Sequence, residues 1–500
     1  MNENAIEIVG RFVEKLRVEI QNNHRFSLLY DYCAKAKQDL HGPLRVAITG
    51  TIKTGKSTLM NALLEQYIVP TAVEVMTYNV NWFHHIKYSN DGKEKIIVHL
   101  LNGEIKEYPM NKLESFVGFS TQHKDVLDKV HWVDVYLNHP LLEVFDLIDT
   151  PGLDSLMGTD SQHTRDLLTK DDNRPDAIIY LVYPEFKSKD ILAVEEFHQA
   201  TGLVSGINSI AALTRVDMLS GEFEEANNRI IDNKRIHADI RYFFLDVYPI
   251  AGLPAQASFI IQDDDIKMLR ELVTIKDIDT FTANHDFFID RFDWQTKSIR
   301  EKLCTMLSID GVRLTIKYFQ LNPDATNSMY KLFLYNYSNV GLLKSVIIEQ
   351  FGGRADFHKC NRVLSGMRKI CAKISRQKEL GQASRETLLK INQQVNQLDY
   401  QLHQEYAEYY ILNDYYNQED YFTDEEWENV RHILGEYGNE HFKRLQLPKD
   451  ARQDTIKNAY NTQYEEWKRK ASKYQLLGNV RANETALKIM NIIQTYKNKI

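Results

Sequence analysis

The stretch RVAITGTIKTGKSTLMNALL, residues 45 to 64, constrains this chain more than any other. An apolar run that reads as a strand leads into Gly50-Thr51-Ile52-Lys53-Thr54-Gly55-Lys56-Ser57, and a run that reads as a helix follows. In that setting the pattern G-x-x-x-x-G-K-[ST] is a phosphate-binding loop. Gly50 and Gly55 let the backbone wrap a phosphate with its N–H groups, which a side chain at either place would obstruct. Lys56 is then expected to reach the β- and γ-phosphates. The Ser57 hydroxyl is expected to ligate Mg²⁺ at the start of a helix whose dipole favours the anion.

The surrounding sequence supplies a fold for such a loop. From 45 to about 255 short apolar runs alternate with amphipathic stretches: RVAITG, VNWFHHIKY, KIIVHLL, VHWVDVYL, VFDLIDT, AIIYLVY, SIAALT and DVYPIAG. This alternation predicts an α/β sheet with helices packed on it. Before it, Val9, Phe12, Val13, Leu16 and Ile20 recur at helical spacing. After about 285 the strand runs cease and the pattern becomes long and helical. Leu388, Ile391, Val395, Leu398, Leu402, Tyr406 and Tyr409 form one apolar seam, which reads as a bundle helix buried against its neighbours. The apolar run LFLYNYSNVGLLKSVII, 332 to 348, reads as bundle core. The 500 residues are too many for one compact core and predict roughly two to four domains.

Three further motifs fall on strand ends. VFDLIDTPGLDS closes a strand with Asp149-Thr150-Pro151-Gly152, where Asp149 can hold the magnesium shell and the Gly152 amide can approach the γ-phosphate. INSIAALTRVDML closes another with Thr214-Arg215-Val216-Asp217. A carboxylate there can accept hydrogen bonds from N1 and N2 of guanine, whereas adenine has no matching donor pair. In PTAVEVMTYNV, Thr77 resembles the switch threonine that GTPases place between the phosphate loop and the strand-end aspartate to close on magnesium, with Thr71 as its competitor. In DVYPIAGL, Ala251 follows a strand and is similar in place to the S-A-K-like loop of GTPases, which implies that it backs the base. Nucleotide contacts are therefore expected at Gly50, Thr51, Ile52, Lys53, Thr54, Gly55, Lys56, Ser57, Thr58, Asp149, Gly152, Thr214, Arg215, Asp217 and Ala251. The metal ligands are expected at Ser57, Thr77 and Asp149. His84-His85 lies in a strand-like run and reads as structural.

Taken in order, these motifs resemble those of P-loop GTPases, with Arg215 standing where the [NT]-K-x-D motif has lysine. Within that class GKSTLMNALL, VPTAVEVMT and DTPGLDS resemble the bacterial dynamin-like proteins, as does a helix before the nucleotide domain and a long helical tail after it. The resemblance implies an α/β P-loop GTPase domain with a mostly parallel sheet, an all-α helical bundle or trunk, and a small C-terminal helical domain. The corresponding boundaries are 1–42, 43–285, 286–435 and 436–500. It also implies a GTP/GDP cycle with Mg²⁺, catalytic roles for Lys56, Ser57 and Thr77, and homodimers through paired G domains or hetero-assembly with related proteins. Ile52 stands where eukaryotic dynamins carry a water-orienting glutamine, and Lys53 beside it is a candidate for transition-state charge. A nucleotide-gated scaffold with negligible hydrolysis and a dynamin-related ATPase are the alternatives.

Composition narrows the remaining classes. The chain is 43% hydrophobic and 26% charged, with few Pro and Gly, which describes a folded protein rich in helix. Cys33, Cys304, Cys360 and Cys371 have no metal spacing and read as core thiols in a reduced, cytoplasmic setting. No secretion signal and no membrane span is readable, so any membrane contact is expected to be peripheral. A net charge of −8 argues against a wholly basic nucleic-acid binder, and no nucleic-acid partner is expected. Residues 443 to 500 nonetheless hold 13 Lys or Arg against 5 Asp or Glu, so the carboxy-terminal unit is locally basic. LQLPKDARQDTIKNAYNTQYEEW followed by NETALKIMNIIQTYKNK resembles a J domain, with Lys468-Arg469-Lys470 where that family carries His-Pro-Asp. The basic face is a candidate for an acidic protein partner, an anionic lipid surface or the chain's own acidic 400 to 442 stretch.

Overall fold

The computed structural model describes residues 4–51, 53–69, 79–117, 127, 129–150, 175–188, 190–192, 194–195, 206–219, 222–236, 240–377 and 381–500. Among them nine strands form one sheet: β1 Leu44–Gly50, β2 Val80–His85, β3 Lys95–Leu100, β4 Ile105–Tyr108, β5 Val130–Leu137, β6 Phe145–Asp149, β7 Ala177–Val182, β8 Ser209–Leu213 and β9 Val247–Pro249. Their spatial order is β4-β3-β5-β2-β6-β1-β7-β8-β9. The half that carries the phosphate loop, β6-β1-β7-β8-β9, is parallel throughout, while β2 meets β6 antiparallel and β3 is antiparallel to both its neighbours.

Residue pattern explains this layout. FDLID and AIIYLV are buried at every position, as central parallel strands covered on both faces must be. All eight expected strand runs form strands. The ninth, β4, has the sequence IKEY and is exposed along most of its length. It is short and charged, which suits an edge strand and hides it from an apolar-run search.

The region after 285 is helical among the described residues, as expected. Two helices, Ala5–Ile20 and Ser27–His41, precede the sheet and pack with Ala355–Ser375 and Gln382–Glu405 around Val9, Val13, Leu16, Val363, Met367, Ile391 and Val395. Leu388, Ile391, Val395 and Leu402 of the predicted seam are buried in this core, so the seam serves packing within the chain. It is broken at Tyr406, whose backbone leaves the helical region before the helix Ala407–Tyr416 begins. In the apolar 332 to 348 run, Leu334 is buried with Leu307 and Tyr330, while Val340, Leu343 and Ile347 share the core that holds Leu44, Val46 and Phe145 of the sheet, so most of its buried residues pack with the nucleotide domain and not in the bundle core. All four cysteines are buried and outside any disulfide.

A buried charge cluster fastens the amino-terminal end of the sheet to these helices. The Arg362 guanidinium pairs with Asp176 just before β7 and donates to the Asp39 carbonyl at 3.1 Å. Asp176 also accepts from the Arg45 amide of β1 at 2.9 Å, and Arg45 pairs with Asp39 at 2.7 Å. The helices are thus anchored at the sheet end opposite the phosphate loop.

The carboxy-terminal unit is a helical hairpin, Gln453–Leu476 and Val480–Lys497, joined by a turn at 477–479. Lys468, Arg469 and Lys470 lie inside the first helix, so the loop that J domains carry at that position is replaced by continuous helix. Part of the basic character is used internally. Arg481 pairs with Glu419 at 2.8 Å and Asp414 at 3.2 Å, and Arg444 pairs with Glu408 at 3.5 Å, all carboxylates of the acidic stretch.

Candidate nucleotide site

Sheet register brings the separated motifs together. Ile48 of β1 pairs with Asp149 of β6, Gly50 with Leu181 of β7, Val182 with Leu213 of β8, and Leu213 with Pro249 of β9. The carboxyl ends of these strands form one edge, where open α/β sheets bind ligands. Gly50 is fixed by sterics. Its φ is +147°, and a Cβ there would lie 2.5 Å from the Leu181 carbonyl oxygen. Gly55, at φ +91°, opens the helix Lys56–Leu64 from a left-handed conformation.

The loop is held from two sides. Thr54 donates to the Thr51 carbonyl at 2.8 Å, and Thr214 donates to the Thr54 carbonyl, also at 2.8 Å. Arg215, in a left-handed conformation, donates through Nη2 to the Lys53 carbonyl and lies over the Tyr183 ring at 5.3 Å. The T-R-V-D turn is therefore bonded directly to the phosphate loop, a contact that sequence spacing does not reveal. The Lys56 ammonium is buried and donates to the Gly50 and Thr51 carbonyls at 3.2 and 3.0 Å, while Lys53 is exposed. Thr58 packs against the start of the helix Gly252–Ile260, where a Cβ on Gly252 would sit 3.2 Å from its methyl. Asp149 and Thr150 are fully buried at the end of β6, with Thr150 donating to the Ile48 carbonyl at 3.0 Å. Ile52, Thr71, Thr77 and Gly152 lie outside the described residues.

Ala251 follows β9 and is fully buried, and its amide donates to the Ser338 carbonyl at 2.9 Å, which ties this position to the helical region. Asp217 is almost completely enclosed. Burial lifts its carboxyl to a pKa of about 6 and Asp310 adds to the rise, while a hydrogen bond from its own backbone amide opposes it most, followed by the Ser308 hydroxyl and Arg215. Ser308 and Ser338 went unnoticed in the sequence because neither belongs to a motif.

His84 and His85 do not act together. Successive strand residues face opposite ways, and His85 accepts from the Lys87 amide at 3.0 Å, while His84 sits between Asp146 at 2.9 Å and Asp134 at 3.3 Å. His99 adds a second contact to Asp134 at 2.8 Å. Burial opposes charge on His84, yet the two carboxylates prevail and raise it to about 10. Burial likewise opposes charge on Asp134, but the two imidazoles hold it at about 2. The network is structural, as the sequence suggested. Because the His84 pKa is raised on folding, its contribution is complete below about pH 6.5 and is lost as pH climbs toward 10. The Asp134 contribution is present above about pH 4 and is lost as pH falls toward 2. His84→Ala should cost about 3 kcal/mol of unfolding free energy near pH 6 and progressively less toward pH 10. Urea titrations at both pH values check this, and a pH-independent difference would contradict it.

Residues 46–197 match the model of the dynamin family. The isoniazid-induced protein IniC of Mycobacterium tuberculosis is 26% identical over 347 residues, covering 66% of this chain and 67% of that protein. Dynamin-like protein 2 of Campylobacter jejuni is 26% identical over 181 residues, covering 36% of this chain and 27% of that protein. Among solved structures, a chain of an oligomerised bacterial dynamin pair, described as providing a mechanism for long-range sensing and tethering of membranes, aligns over 98% of this chain and 90% of its own. The identity is 15% and the TM-score 0.36.

Proposed function

We propose, on the premise that this chain belongs to the dynamin-like GTPase family, that it binds GTP at the edge formed by β1, β6, β8 and β9 and hydrolyses it. The observation that carries this reading is the bonding of the guanine-reading turn to the phosphate loop, through Thr214 to Thr54 and Arg215 to Lys53. A pocket built that way has the base end and the phosphate end at fixed separation.

Within it, the loop amides and the Lys56 ammonium stabilise charge on the transferring phosphoryl oxygens, and Asp217 selects guanine. Ser57 at the helix start and Asp149 at the strand end are hard oxygen donors that fit Mg²⁺, which when bound would neutralise charge shared by the β- and γ-phosphates. Thr77 is proposed to complete that set, and Lys53, exposed beside the loop, to supply further charge. We assign activation to pairing of two G domains across the nucleotide. Calorimetric titration with GTP, GDP and ATP tests the base assignment. Binding of both guanine nucleotides without ATP is expected, and equal ATP binding would overturn it.

The membrane-facing part of the reading rests on the hairpin turn. Leu476, Leu477 and Val480 are 89%, 69% and 67% exposed, and Arg469, Lys473 and Lys488 are exposed on the same hairpin. Among the described residues no helix is long and apolar enough to cross a membrane. An apolar tip flanked by cations suits shallow insertion into an anionic lipid surface. Leu477→Asp should weaken co-sedimentation with phosphatidylglycerol vesicles about tenfold, because one apolar side chain available for insertion is lost and a negative charge is set against an anionic surface. Unchanged co-sedimentation would remove the tip from this role.

A further inference from the structure

The helix Lys297–Leu321 is interrupted once, at Ser308, where φ is 61° and ψ 171°. Side chains other than glycine rarely occupy that region, and residues held there cluster at functional sites. The interruption lies against the turn that carries Asp217. A serine hydroxyl has one proton to donate and can accept as well. Here it accepts from the Gly311 amide at 3.2 Å, capping the second half of the helix, and donates to Asp217 Oδ2 at 3.4 Å. The proton is thus directed at the one carboxylate on which base selection depends. Ser308 lies outside the range 43–285 read as the nucleotide domain, as does Ser338, which engages Ala251.

We propose that Ser308 is the positioning residue for Asp217, so that guanine recognition depends on the shape of the joint in the helix Lys297–Leu321. The proposal rests on the reading of this site as a GTP site. Each carboxylate oxygen has two lone pairs, so Oδ2 can accept from Ser308 and from a guanine N–H together. The hydroxyl fixes the carboxylate plane and favours its ionised form, which is the form that accepts both base hydrogen bonds. The charged groups facing Asp217 are Asp310 from the interrupted helix and Arg215 from its own turn. Movement of the helical region that straightened the joint would withdraw the hydroxyl and weaken the hold on the base. Base occupancy would in turn favour the bent form, because such coupling is reciprocal.

The test compares the full-length protein with Ser308→Ala and Ser308→Asn by calorimetric titration of GTP from pH 5 to 8, with thermal unfolding measured without nucleotide. Asparagine caps a helix and still offers an N–H donor, and this backbone conformation suits it no worse than serine. In the unaltered protein affinity should fall as pH drops through about 6, where Asp217 protonates. Ser308→Ala should weaken GTP binding about tenfold at pH 7.5 and move that midpoint upward, and Ser308→Asn should restore both. A residue that only caps the helix would lower the unfolding temperature in Ser308→Ala while leaving the pH midpoint in place, and that result overturns the proposal. Absence of GTP binding by the unaltered protein at every pH would overturn the parent reading together with this one.

Discussion

Asp217→Asn is expected to weaken GTP binding on the order of a thousandfold and to create affinity for XTP. Guanine offers two donors, at N1 and N2, to a carboxylate that only accepts. Asparagine keeps one acceptor and places an N–H₂ against the base amine, so two donors meet and both lose their partners in a pocket closed to water. Xanthine carries a carbonyl in place of that amine, and the asparagine amide matches it. The substitution also removes a titrating group, so the fall in affinity below about pH 6 should vanish. Competitive titration of GTP against XTP measures both changes, and retention of GTP affinity would show that Asp217 does not contact the base.

Lys56→Ala should lower single-turnover phosphate release from bound GTP by about a hundredfold to a thousandfold, the scale for removing one preorganised charge stabiliser. The ammonium is buried and held at the loop by the Gly50 and Thr51 carbonyls. Thermal unfolding should remain cooperative, since the loop's own ties through Thr54 and Thr214 are untouched. Unchanged phosphate release at saturating GTP would remove Lys56 from the mechanism.

Much of the fold was legible because its central strands are buried on both faces and therefore mostly apolar, Asp146 and Asp149 excepted. FDLID and AIIYLV could be little else in a chain that also carries a phosphate loop. IKEY was not legible, since an edge strand is stabilised by pairing with β3 and needs no apolar side chains. The long seam was legible as a packing face but not as two helices, because apolar spacing continues across Tyr406 while the backbone does not. At the site, the strand-end motifs announced themselves through glycine and charge patterns that phosphate chemistry requires. Ser308 did not: its significance comes from a neighbour 91 residues away and from a backbone angle that one serine among helical residues gives no sign of.

The central claim is turnover of GTP by paired nucleotide domains, and phosphate release tests it most directly. The measurement uses the full chain with Mg²⁺ and either GTP or ATP, over about a hundredfold range of protein concentration, so that mass action can populate the pair. Release from GTP alone is expected, with specific activity rising as protein concentration rises. Equal release from both nucleotides, or tight GTP binding without turnover at any concentration, would contradict it.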